Sequence, residues 1–152
     1  MKKLFATVIL SLALCVSALA AEPKSLGVRA GAGMALSYQV NMGVGFLETD
    51  FGVLGGNMHG LRLAAIYDFR LLTLDWKPCD FTLYMGPGLT GGMYDKGKFA
   101  GGMVLQFGCE FSFDKVPVEI TFDTCPSFWF LQEGIAADYY SFIPMLGLRW
   151  KF

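Results

Sequence analysis

After Ala20 the chain has no uninterrupted apolar run of helical length. It therefore cannot cross a membrane there as a helix, which needs about 20 such residues. Charge is scarce: 16% of residues are Asp, Glu, Lys or Arg, where about 25% is typical. The formal net charge of −1 points to no nucleic-acid partner and no basic patch for a membrane surface. Histidine occurs once, as His59. No metal-ligand spacing, phosphate loop or nucleotide motif is present, so neither cofactor nor metal is expected.

What is present is apolar residues (54%) and glycine, 19 of 152 residues, where about 7% is usual. The first twenty residues read as a secretory leader. Lys2 and Lys3 supply charge, Leu4 to Val16 is apolar, and Ala18-Leu19-Ala20 fits small-x-small cleavage. The expected division is a signal peptide at 1–20 and one domain at 21–152. An uncleaved anchor is the alternative. A lipoprotein using Cys15 is disfavoured by Leu14, where a small residue is expected. An apolar exported chain without membrane helices has one other way to span a bilayer, a closed β-barrel that pairs its backbone groups internally.

Alternation supports that reading. Over 99–113 the odd positions are Phe99, Gly101, Met103, Leu105, Phe107, Cys109, Phe111 and Phe113, while the even ones are mostly small or polar. Successive strand side chains point to opposite faces, so this is a period-2 segment. Gly60–Leu71, Val116–Phe130 and Phe142–Phe152 repeat the pattern. A soluble sandwich also alternates, with its apolar face inside. The leader, the low charge and Phe152 favour the inverted arrangement. The expected fold is all-β: an eight-stranded antiparallel up-and-down transmembrane β-barrel with strands at 26–30, 34–40, 44–53, 60–71, 81–93, 99–113, 116–130 and 139–152. Residues 29–33 read either as a tight turn or as part of one bent strand, which gives seven. Even strand numbers from 8 upward in bacterial barrels favour eight. Turns are expected at Asn41, Thr73–Asp80 and Asp114-Lys115 on the periplasmic side, and at 55–59, 95–98 and 132–138 outside.

On this parity the interior holds Arg29, Gln39, Glu48, Asp50, Arg62, Asp68, Arg70, Tyr84, Gln106, Glu110, Glu119, Asp123 and Arg149. A barrel of about eight strands is just wide enough to be filled by side chains, and buried charges need partners. A packed salt-bridge network is expected, with a polar channel as the sharper alternative. Gly86, Gly88, Gly102 and Gly108 would leave room for Arg and Tyr heads. Glu119 and Asp123 share one face, and pairing with Arg149 on the adjacent strand accounts for them. Aromatics fall near the strand ends: Tyr67, Phe69, Phe81, Phe111, Phe113, Trp150 and Phe152 at one, Phe99, Phe128, Phe130, Tyr140 and Phe142 at the other. Girdles at both interfaces are typical of such barrels.

Three cysteines lie beyond the leader: Cys79, Cys109 and Cys125. An odd count prevents full intrachain pairing. Cys109 should face lipid and Cys125 the interior, which opposes a disulfide between them; Cys79 falls in a turn and could be a reactive thiol. Acyl-chain hydrolysis would need a His base beside a Ser nucleophile. His59 in an outer loop, with Ser127 and Ser141 pointing inward, reads instead as a solvated histidine.

The runs Gly60–Phe69, Phe81–Gly88, Phe107–Pro126 and Leu146–Phe152 together resemble the small eight-stranded outer-membrane barrels of Bacteroidota and spirochaetes, similar in shape to OmpX and the OmpA membrane domain. The resemblance covers nearly all of 21–152 and is architectural, so it carries over no catalytic residue. It implies the cell outer membrane, outer-membrane lipids and the barrel assembly machinery as partners, and an assembly signal at Leu148, Trp150 and Phe152. The expected role is non-enzymatic: structural, membrane-integrity or surface-interacting. A narrow pore or small-molecule carrier, a lipid-modifying enzyme and a soluble periplasmic ligand-binding barrel are the alternatives. Ligand and oligomeric state stay open.

Overall fold

The computed structural model describes residues 24–31, 33–54, 60–94, 98–131 and 134–152. The expected leader at 1–20 and the loop carrying His59 lie outside them. Among the described residues ten strands form: β1 (Lys24–Ala30), β2 (Gly33–Met42), β3 (Gly45–Leu54), β4 (Gly60–Trp76), β5 (Cys79–Tyr94), β6 (Lys98–Phe113), β7 (Val118–Thr124), β8 (Ser127–Leu131), β9 (Gly134–Asp138) and β10 (Met145–Lys151). There is no α-helix among the described residues, only a 3₁₀ turn at Tyr139–Phe142.

Every pairing is antiparallel, and eight strands close on themselves. β1 to β7 pair in chain order, and β10 lies between β7 and β1. The β8–β9 hairpin continues upward from the ring, with β8 on β6. We call the end with the β2–β3, β4–β5 and β6–β7 connections the turn end.

Two of the expected strands are interrupted. Residues 116–130 break at Cys125-Pro126, because proline has no N–H to give to the ladder. The register survives the break: Thr124 faces Phe107 and Ser127 faces Val104. Between them, Pro126 O still accepts from Leu105 N at 3.0 Å. The last strand is broken more deeply. Continued evenly, the β7–β10 register would set Ser141 opposite Ser127, but the observed partner is Asp138, three residues earlier. The 3₁₀ turn absorbs that excess. Thr124 Oγ1 donates to Ser141 O (3.2 Å) and Phe142 O (3.1 Å), and Ser127 N donates to Ser141 Oγ (2.8 Å), which stitches the turn to β7 and β8.

The turns also depart from expectation. Asn41 lies within β2, and the turn is Gly43-Val44. Gly43 has φ 63°, a conformation that two-residue hairpins need and glycine adopts at no steric cost. Thr73–Asp80 is not a loop. β4 runs on to Trp76 after a bulge between Arg70 and Leu72, and only Lys77-Pro78 turns. Trp76, so placed, stacks on Phe81 at 5.3 Å, and Phe81 meets Phe111 at 5.2 Å. At the far end Phe99, Phe128, Phe130 and Phe142 point outward and exposed.

The two faces of the ring differ sharply. Val28, Leu36, Phe51, Leu63, Leu89, Met103, Phe122 and Leu148 are exposed on the outside. Inside, polar and charged side chains outnumber apolar ones. The apolar interior includes a small cluster of Ala64, Ile66, Val104 and Cys125, with Val40, Phe46 and Trp129, the last only 1% exposed, also buried.

Candidate functional site

The interior is organised by two arginines on neighbouring strands. Arg29 on β1 lies opposite Gly147, and Arg149 on β10 lies opposite Gly27. Gly147 leaves room beside the Arg29 stem: a Cβ there would run into Thr121 Oγ1 and come within 3.2 Å of Arg29 Cγ. Its absence lets the Arg29 stem cross the ring. Both guanidinium groups have 0% exposure.

Arg29 Nη1 donates to Glu48 Oε1 at 2.9 Å and to Asp50 Oδ2, both from β3. Its Nη2 donates to Asp123 Oδ1 on β7 and to Cys125 Sγ at 3.2 Å. Arg149 donates from Nε to Ser37 Oγ (3.2 Å) and from Nη1 to Gln39 Oε1 (3.3 Å) and Glu110 Oε2 (3.4 Å). Its Nη2 also forms an ion pair with Glu48 Oε1 at 2.5 Å, without hydrogen-bond alignment. Glu48 thus bridges the two arginines. Ser37 Oγ (2.9 Å) and Gln106 Nε2 (3.4 Å) donate to it as well. Tyr84 OH donates to Asp123 Oδ2 at 3.2 Å and packs edge-on against Phe46.

The structure therefore joins Arg29, Glu48, Asp50, Glu110, Asp123 and Arg149 in one network. Four other charged residues of the interior set stand apart from it. Arg62 lies nearer the opposite end and donates from Nε to Thr90 Oγ1 at 3.1 Å. Arg70 sits at the turn end, donating to Asn41 Oδ1 and Gly45 O (3.1 Å) with its guanidinium over the Phe46 ring. Asp68 is fully buried, yet neither carboxylate oxygen has a hydrogen-bond partner among the described residues. Glu119 is opposite Arg149 in register, but the expected pairing does not form. Arg149 reaches across the ring to Glu48 instead, and Glu119 Oε2 is left without a hydrogen-bond partner among the described residues.

Breaking a buried ion pair by removing one partner typically costs about 3–5 kcal/mol, because the other charge is left uncompensated. Here one guanidinium faces three carboxylates from two other strands, so the network ties β1 through side chains to β3 and β7, with which it shares no ladder.

Trp129 escaped the sequence reading, although its parity with Ser127 was the available signal. It is buried and inward, and its Nε1 has no hydrogen-bond partner among the described residues. Ser127 and Ser141 bond backbone and each other. Cys79, Cys109 and Cys125 are all free thiols. Cys79 is the first residue of β5, opposite Trp76 and Phe113, and not in a turn. Leu148, Trp150 and Phe152 are exposed on the outer face.

This site is a filled, cross-linked interior. Fully buried Arg29, Glu48, Tyr84, Gln106 and Arg149 occupy the middle of the ring. No protein-family model matches the chain, and no curated protein or solved structure matches it significantly.

Proposed function

We propose that the chain is an integral outer-membrane protein whose ring of strands is a transmembrane β-barrel. Its role is structural: membrane integrity, or presentation of the outer rim to surface partners. One observation carries this reading: the ring is inverted, with charge sealed inside and large apolar side chains outside. In water, a contiguous apolar exterior marks an interaction surface or an aggregation hazard; in a bilayer it is the required surface. β4, β5 and β6 are 17, 16 and 16 residues long, more than the ~9–11 that a tilted strand needs to cross. Closure also removes the sheet edges that lipid cannot satisfy.

On this reading the lipids of the outer membrane contact the exposed face, and the barrel assembly machinery inserts the chain. The pore alternative is less favoured because Arg29, Glu48 and Arg149 are fully buried and ion-paired across the interior. The family likeness to OmpX and the OmpA membrane domain belongs to the same proposal and concerns shape alone.

Fractionation with gel electrophoresis tests it. The protein should appear in the outer-membrane fraction, need detergent for extraction, and migrate faster unboiled than boiled. Recovery in plain buffer with no heat-dependent shift overturns the proposal. In planar bilayers the purified protein should give no steady conductance, and stable channels would move the assignment to a pore.

A further inference from the structure

We draw no further inference here: the strongest candidate, the apolar groove of about 530 Å³ on the outer face of the ring between Phe51 of β3 and Phe99 of β6, bordered by Leu63, Leu89 and Met93 and with Gly91 along it, carries nothing because nothing in the structure shows what covers it.

Discussion

Arg29 and Asp68 are both sealed from solvent, yet their surroundings make opposite predictions. Arg29 meets Glu48, Asp50 and Asp123 at once. Arg29→Met keeps most of the stem but leaves three carboxylates facing one another. It should destabilise the fold by about 3–5 kcal/mol, the usual cost of orphaning a buried pair, read as a lowered urea midpoint for the protein in micelles. Asp68 accepts no hydrogen bond at either oxygen from the described residues, so Asp68→Asn removes a buried carboxylate that no donor satisfies. The same titration should show it neutral or stabilising, on the order of 1 kcal/mol. A midpoint for Asp68→Asn as low as that of Arg29→Met would mean that an unseen partner holds the carboxylate.

The break in the last strand is where an element depends on single hydrogen bonds. The 3₁₀ turn is fixed by Thr124 and by Ser141 Oγ, which accepts from the buried Ser127 N. Ser141→Ala leaves that N–H unsatisfied and should cost about 1–3 kcal/mol. Amide exchange at Ser127 should quicken while Arg149 and the rest of β10 stay protected; uniform loss of protection would show that the turn is not a local unit. The facing of residues was legible in the sequence because period 2 assigns each side chain to a face whatever the partner strand. That rule places Arg29, Glu48, Asp123 and Arg149 inside. It does not say that Arg149 passes over adjacent Glu119 to reach Glu48 two strands beyond β1, since a long side chain chooses among all the interior charges within its reach. Pro126 was a visible break signal. Pro144 marks the second break in the same way, but the three-residue excess before Met145 was not legible, because a proline says where a ladder stops and not how many residues leave it.

At the scale of the whole molecule, the open question is which solvent the exposed apolar face meets, and depth provides the means to ask. Leu105 lies mid-strand on β6, 43% exposed, while Val116 lies in the connection between β6 and β7, 48% exposed. In water the two sites are equivalent: a surface substitution away from special features stays within about 0.5 kcal/mol. In a bilayer they are not. Arginine on the lipid face costs about 2–4 kcal/mol at the midplane and about 0–1 near the interface. Leu105→Arg should therefore lower the stability of the fold in lipid vesicles by the larger amount and Val116→Arg by the smaller. The comparison is internal to one fold, so a general intolerance of arginine would lower both alike. Equal and negligible effects would mean that the apolar face does not lie in hydrocarbon, and that some protein partner must cover it instead.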